Sequence, residues 1–557
     1  MSQDQNPDQT PETEGAAEAP AQASKAPWPG NHDMPQWNTG KLISPPVFTS
    51  RNWFAMLGPG LLMGGAAIGG GEWLVGPLVT AKYGGAMLWL ATLSILGQVI
   101  YNIEISRYTL YTGEPIFTGK FRCFPSPKFW VTAYLIFDFG SVFPYLAASA
   151  ATPVVTLING AAPDPANVSA DWWMMKFIGI AIFLTALLPL IFGGKIYNAL
   201  KAVMTFKIVT IFGFLILVAV CYSNPATWWD ILTGFFRFGN VPIKLAPGAD
   251  AADRANYSVN IFASLLSGKG FPDIDLSTIG FISALAAIAG SGGLSNTPVS
   301  NYTRDQGWGM GHHVGAIPSI IGGEDLQLSH VGTVFEPNED TLPRWKAWYR
   351  HVLRDQLIVW MPACFIGMAL PAMLSIQFLT PLSIDSGDSN AKWTAAVMTA
   401  SAVQGEVASG VAGESMGKVF WFMTVFCGFL VLAPSMASSS DGIIRRWVDA
   451  FWTASPRLRK MDPKKIKYVY FKVLVIYACF GLIMLSIPVA PTQLLQYATM
   501  IFNVALGFSC WHTLYLNLVL LPRELRPGWF PRVALVGAGS FFMTLGVLTI
   551  MKTFGML

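Results

Sequence analysis

The sequence predicts an all-α polytopic membrane protein of eleven transmembrane helices, built from inverted repeats, with the first and sixth helices interrupted in mid-membrane. Three observations carry this. Of the 557 residues, 53% are hydrophobic and only 12% charged, against roughly 25% charged in an ordinary soluble domain, and the mean hydropathy is +0.46. Eleven apolar runs reach the length of about 20 residues that a bilayer crossing needs. Two of those runs carry matching glycine-rich interruptions, Ala66-Ala67-Ile68-Gly69-Gly70-Gly71-Glu72 and Ala286-Ala287-Ile288-Ala289-Gly290-Ser291-Gly292-Gly293. Glycine weakens a helix there and frees backbone groups that lipid cannot satisfy, so such a break is tolerated only where it lines a cavity or binds something. Paired broken helices are the sequence mark of a secondary transporter working by alternating access.

Residues 1–50 are rich in Gln, Glu, Ala, Pro and Asp and are expected to form a disordered tail; they lack the basic start and apolar core of a cleaved leader. The helices are placed at 53–80, 86–110, 129–157, 173–193, 196–222, 277–300, 351–378, 416–442, 469–488, 491–521 and 531–553. Basic residues fall on alternate connections: Lys120, Arg122 and Lys128; Lys195; Arg344, Lys346 and Arg350; the run from Arg445 to Lys467; and Arg523, Arg526 and Arg532. The positive-inside rule makes these loops cytoplasmic, with the N-terminus inside and the C-terminus external. The connection 223–276 is then an external loop, and 301–350, with His312 and His313, an internal one. The absence of a leader and of long glycosylated loops fits a bacterial inner membrane.

Several functions are disfavoured by the same reading. The net charge of +4 is small and its basic residues follow the loops, so no nucleic-acid surface is indicated. Of the six cysteines only Cys123 lies outside the apolar runs, and no C-x-x-C spacing occurs, so neither a disulfide framework nor a metal knuckle is implied. The chain lacks the phosphate-binding G-x-x-x-x-G-K pattern and the metalloprotease H-E-x-x-H pattern. We expect no enzyme activity and no cofactor. The expected partners are the bilayer, a small-molecule or ion substrate and a coupling proton or Na+, for a chain that acts as a monomer.

The chemistry of the site follows from the breaks. A glycine break that opens a new half-helix presents backbone N–H groups at a positive dipole end, which favours an anionic group such as a carboxylate. Gly69, Gly70 and Gly71, with Ser291, Gly292, Gly293, Leu294, Ser295 and Asn296, are therefore the expected substrate-binding residues; the alternative is that the glycines only allow close helix packing. Glu72 is an ionisable group near mid-membrane, costly unless used, and its burial suits proton uptake and release; it would otherwise serve as partner to a nearby cation. Lys207 lies inside helix 5 between Phe206 and Ile208. It faces the site or, alternatively, snorkels to the cytoplasmic interface. Glu104 and Arg107, three apart on helix 2, are expected to pair. Ser438, Ser439 and Ser440 offer hydroxyls, although adjacent positions cannot all face one site. His512 is expected to be a hydrogen-bonded packing residue.

Gly58-Pro59-Gly60-Leu61-Leu62 followed by Gly69-Gly70-Gly71-Glu72, then Tyr83-Gly84-Gly85 and Leu88-Trp89, resembles the first helix of the Nramp transporters, and so does Arg107 ahead of Thr112-Gly113. Ile288-Ala289-Gly290 ahead of Leu294-Ser295-Asn296-Thr297 sits where that family has its sixth-helix motif, and Leu432 to Ser440 with Gly442 and Trp447 looks like its eighth helix. The resemblance covers roughly residues 50–555 and is specific only over the first helix. It implies the LeuT-type fold of the wider amino acid, polyamine and organocation superfamily. The first inverted repeat would be 51–222 (helices 1–5) and the second 277–522 (helices 6–10), with 523–557 holding helix 11 and the C-terminus. It also implies secondary transport, with a divalent metal ion as the default substrate.

This chain departs from the family at the metal site. The family's first break reads Asp-Pro-Gly-Asn and its sixth Met-Pro-His. Here Gly69 stands for the Asp, Gly70 for the Pro, Glu72 for the Asn, Leu294 for the Met, Ser295 for the Pro and Asn296 for the His. The soft ligand that selects transition metals is lost, leaving Glu72 and Asn296 as the only candidate metal ligands of those positions. Asp138 matches an acidic residue of the family's proton pathway. The stretch around Lys207 resembles the fifth helix of proton-coupled amino-acid transporters, where a lysine ammonium takes the place of a bound sodium ion. Glu72, Asp138, Lys207 and Ser439 are the expected coupling residues. The lost ligands, the glycine nest and Lys207 point away from the family default toward a small organic solute such as an amino acid or carboxylate, or toward Mg2+, which keeps several waters when bound; a sensor without flux is a further alternative.

Overall fold

The structure is a computed structural model. It describes residues 25–47, 58–60, 63–64, 71–164, 169–192, 196–314, 331–382, 391–410, 413–462 and 465–557. Nine helical stretches among these are long and apolar enough to cross a bilayer, and Leu276–Ile288 is a shorter apolar helix. The chain is a multi-pass membrane protein.

The continuous apolar runs became single helices close to the expected limits. These are α2 (Leu88–Thr112), α6 (Ala170–Phe192), α7 (Ile196–Tyr222), α17 (Ile466–Ser486), α18 (Pro491–Leu520) and α19 (Trp529–Thr553). Runs that contain a break did not. The first span is described from a π-helical turn, Gly71–Val75, that leads into α1 (Gly76–Tyr83), which joins α2 through a tight turn at Gly84–Met87. The expected helix 129–157 divides into α4 (Pro127–Phe137) and α5 (Tyr145–Asn159), separated by a single 3-10 turn, Phe139–Val142. The sixth span consists of α10 (Ile279–Ile288) and α11 (Pro298–Asp305) with an unwound stretch between them.

Other elements had no apolar run to announce them. α3 (Ile116–Phe121) fills the connection after α2, and the 223–276 connection holds α8 (Pro225–Gly234), α9 (Ile261–Leu266) and a hairpin of β2 (Asn240–Pro242) with β3 (Ser258–Asn260). The basic residues Arg344, Lys346 and Arg350 lie on an amphipathic helix, α12 (Thr341–Arg354), and not in a loop; it continues through a π turn, Asp355–Trp360, into α13 (Met361–Phe378). α14 (Ala391–Ser409) packs along α15 (Gly413–Ala454) and also touches α1, α5 and α18. α15 has 42 residues, about 63 Å at 1.5 Å per residue, so it carries Arg445 and Arg446 inside the fold; the short α16 (Pro456–Arg459) follows it.

Part of the expected disordered tail is ordered. Residues 25–47 cross the basic end of the bundle, with Met34, Trp37 and Leu42 buried. Within them β1 (Asn38–Thr39) pairs in parallel with β4 (Thr333–Val334). Residues 1–24 and 48–50 lie outside the described residues.

Close backbone approach fixes the helix packing where small residues meet. A Cβ on Gly507 of α18 would lie 2.8 Å from the carbonyl oxygen of Gly539 on α19, and one on Gly539 would strike the Trp511 ring, the small-residue contact that membrane helices use in place of hydrophobic drive.

Candidate functional site

The interrupted sixth span is the best-defined part of the site. α10 ends at Ile288, Ala289 is extended, and Gly290, Gly292 and Gly293 follow at φ of 107°, 70° and 56°. A side chain at 292 would meet the Ala287 carbonyl oxygen, and one at 293 the Phe502 ring. Only glycine fits this path.

The freed backbone groups are taken up by side chains of α2. Gln98 Oε1 accepts from Ser291 N at 3.0 Å, Gly292 N at 3.1 Å and Asn296 Nδ2 at 2.8 Å, while Gln98 Nε2 donates to Ala289 O at 2.8 Å. Ser94 Oγ donates to Ala286 O at 2.6 Å. On the other side Arg446 Nη1 of α15 donates to Leu294 O at 2.8 Å. Two backbone N–H groups of the sixth-span break, those of Ser291 and Gly292, thus converge on an internal acceptor, the Gln98 amide oxygen. Leu294 is fully buried, and Ser295 N turns back to Gly292 O at 3.0 Å. Ser291 Oγ and Asn296 Oδ1 are buried without a hydrogen-bond partner among the described residues.

Of the first break, Gly69 and Gly70 lie outside the described residues, as does the side chain of Glu72; Gly71 opens the π turn. Trp73, the next residue, is buried. It lines an open pocket of about 700 Å3, solvent-facing space included, together with Val75 and Leu78 of the first span, Ser149 and Thr152 of α5, Phe281 of α10, Val397 of α14, Thr424, Val425, Gly428 and Leu432 of α15, and Thr492 and Leu495 of α18. The wall is mostly apolar, with hydroxyls from Ser149, Thr152, Thr424 and Thr492. Gly428 seats the Trp73 indole: a Cβ there would lie 2.7 Å from Trp73 Nε1. Among the described residues no cluster of three His, Cys, Asp or Glu side chains is placed to hold a metal ion.

Lys207 does not snorkel. It is fully buried, and its Nζ donates to Ser435 Oγ of α15 at 2.7 Å. Ser435 lies three residues beyond the cavity-lining Leu432, so the ammonium sits about one helical turn from the cavity wall. Ser439, one of the expected coupling residues, is a further turn along and half-buried, and Ser440 turns to Met436 O at 2.8 Å.

Asp138 is buried at the end of α4, where the third span breaks. Its carboxylate is gripped by Arg446, Nη2 to Oδ1 and Nε to Oδ2 both at 2.9 Å, and by Trp447 Nε1 at 2.6 Å. Arg446 thus links the acid of the third span to the unwound backbone of the sixth.

Further polar contacts draw the basic end together. Glu104 and Arg107 pair as expected, at 2.8 Å, and Asn517 Nδ2 and Tyr349 OH join them. Asp355 accepts from Gly58 N at 3.1 Å and Gly60 N at 2.7 Å, which seats the Gly-Pro-Gly start of the first span on the seventh. Asp305, Asp441 and Arg445 form a third group. His512 packs in an aromatic cluster with its Nδ1 2.8 Å from Tyr134 OH, and His313 Nε2 meets Lys41 O at 2.9 Å.

Comparison with known proteins bears on the fold. A manganese transporter of Eremococcus coleocola, solved with an aromatic bis-isothiourea compound, superposes with a TM-score of 0.55 at 11% identity, over 92% of this chain and 89% of that one. Two mutant forms of it give a TM-score of 0.54 at 12% identity over 93% and 91%. The fold is of the LeuT type found in Nramp transporters. The likeness is distant in sequence, and no protein-family model and no curated protein matches the chain.

Residues missed from the sequence are Gln98, Ser94, Ser435 and Arg446. Gln98 had one available signal, a lone amide in the apolar run Ile95-Leu96-Gly97-Gln98-Val99. Arg446 was read only as part of a basic loop.

Proposed function

We propose that the chain is a proton-coupled secondary transporter that carries a small organic solute by alternating access between the first and sixth spans. The observation that carries this reading is the buried Lys207 ammonium beside Ser435, one turn from a cavity walled by apolar side chains and hydroxyls. The ammonium form there opposes entry of a divalent cation and favours an anionic group on the cargo. Loss of a proton from Lys207 or Glu72 during the cycle supplies the coupling. The positive-inside rule supports a basic end that faces the cytoplasm and a cavity that faces outward, in the inner membrane of a bacterium. The cycle is transport, with no chemical step on the cargo.

A second reading rests on Ser291 Oγ and Asn296 Oδ1, two buried oxygens without partners among the described residues. Hard oxygen ligands suit a largely hydrated Mg2+ better than a transition metal. The manganese carried by the structural neighbours is the third candidate.

The purified protein, screened by thermal unfolding against Mn2+, Mg2+, amino acids and small carboxylates, should be stabilised by a member of the organic set, since whatever binds the folded state raises its stability. Proteoliposomes with an imposed proton gradient should then take up that solute saturably, and Glu72→Gln should abolish the gradient dependence. Saturable Mn2+ uptake with no stabilisation by any organic solute would overturn the proposal.

A further inference from the structure

Residues 25–47 span the connections that follow the second and sixth spans and the start of the seventh. At one end Asn31 N donates to Arg122 O at 2.7 Å, and Arg122 Nη1 donates to Pro35 O at 2.7 Å. The Arg122 guanidinium lies 4.8 Å from the centre of the Trp37 ring, which meets Tyr111 of α2 edge-on at 5.9 Å. Arg122 is itself fixed by a buried pair with Glu114, and Glu114 Oε1 also takes Gly332 N at 3.0 Å. In the middle, Asn38 and Thr39 pair with Thr333 and Val334. At the other end Arg344 Nη1 donates to Leu42 O at 3.1 Å, and Trp348 Nε1 to Ile43 O at 2.8 Å, both from α12. The chain then reaches Gly58 within eleven residues of Val47, and Gly58 and Gly60 rest on Asp355 of the same helical stretch as α12.

We propose that residues 25–47 are a lock on the basic end of the transporter: docked, they hold the elements around the second, sixth and seventh spans together, and the basic end opens only when they lift. The inference regulates the site described above and rests on the transport reading. Its physical basis is that the segment buries Met34, Trp37 and Leu42 against elements that must part if the basic end is to open. The free energy of docking therefore adds to the closed state alone, and a contact present in one conformation only shifts the equilibrium toward it. The fragment has no core of its own, so its contacts are lost together once Trp37 leaves Arg122.

The test uses the full chain in detergent, with the exposed Cys221 and Cys479 changed to Ser. Asn38→Cys with Thr333→Cys places two thiols on paired positions of neighbouring strands, about 5 Å apart and within the span of a disulfide. Amide hydrogen exchange is then followed in Gly58–Gly64 and Pro298–Asp305. The oxidised protein should exchange more slowly there than the reduced one. Trp37→Ala should exchange several-fold faster than the parent, with Trp37→Phe, which keeps a ring over Arg122, close to it. Cys123, buried next to Arg122, should react with N-ethylmaleimide faster in Trp37→Ala. Equal exchange in oxidised and reduced protein, or parent-like exchange in Trp37→Ala, would overturn the lock. Because the readout needs no cargo, that failure would leave the transport reading standing.

Discussion

Gln98 Oε1 lies 2.8 Å from Asn296 Nδ2, and the same oxygen receives the amide protons of Ser291 and Gly292. Two backbone donors freed by the sixth-span break and the Asn296 side-chain amide thus converge on one acceptor from a neighbouring helix. Replacing Gln98 by Leu should leave all three buried and unpaired, at about 1–3 kcal/mol for each group left unsatisfied. A marked fall in melting temperature is expected. In Gln98→Ala, which also leaves space, added acetate should raise the melting temperature by filling the nest, while the parent should not respond.

For Lys207 the contact with Ser435 predicts more than a loss of rate. Lys207→Ala should uncouple uptake from the proton gradient, and Lys207→Arg should retain binding of cargo but lose the pH dependence, because guanidinium does not release its proton in the working range. Uptake measured across pH in proteoliposomes checks this. A parent-like pH profile in Lys207→Ala would remove the residue from the mechanism.

The Asp138–Arg446 pair is buried, with both side chains about 1% exposed. Removing one partner of such a pair typically costs about 3–5 kcal/mol, because the other charge stays buried. Asp138→Asn should therefore destabilise strongly, whereas Asp138→Asn with Arg446→Gln should recover part of the loss. Thermal unfolding of Asp138→Asn, Arg446→Gln and the double variant measures the coupling.

Lys120, on α3 and outside the membrane spans, is fully buried among Ser509, Tyr101, Phe117 and Tyr134. Burial pushes its amine down to about 7, partly offset by the Cys510 and Cys123 thiols; His512, Tyr101 and Tyr134 also face it. The unfolded chain holds this proton up to about pH 10.4, so between about 7 and 10 the lysine is more protonated unfolded than folded, and its own contribution to stability rises with pH across that window. Lys120→Met should be more stable than the parent at pH 7 and should show a flatter rise between pH 7 and 10. Identical slopes would exclude the lysine as the source.

The sequence disclosed what continuous chemistry can disclose. The limits of α7, Ile196–Tyr222, coincide with the expected helix because an apolar run is flanked by Gly-Gly-Lys and Ser-Asn-Pro, and the sixth-span break was legible because only glycines permit it. Side-chain destinations were not legible. Gln98 and Arg446 act on a span far from them in sequence. α14 is rich in Ala, Ser, Thr and Val and too polar to read as a crossing. The segment 25–47 owes its order to three buried residues and to Arg122, none of which makes a local pattern.

The Trp73 indole rests where Gly428 has no side chain, directly on the wall of the cavity. A side chain at 428 would meet that ring, a Cβ alone lying 2.7 Å from Trp73 Nε1, and must displace it. On the proposed transport reading, a single hydrogen atom sets how bulky a molecule this protein admits, and relatives that differ there should differ in the girth of what they carry.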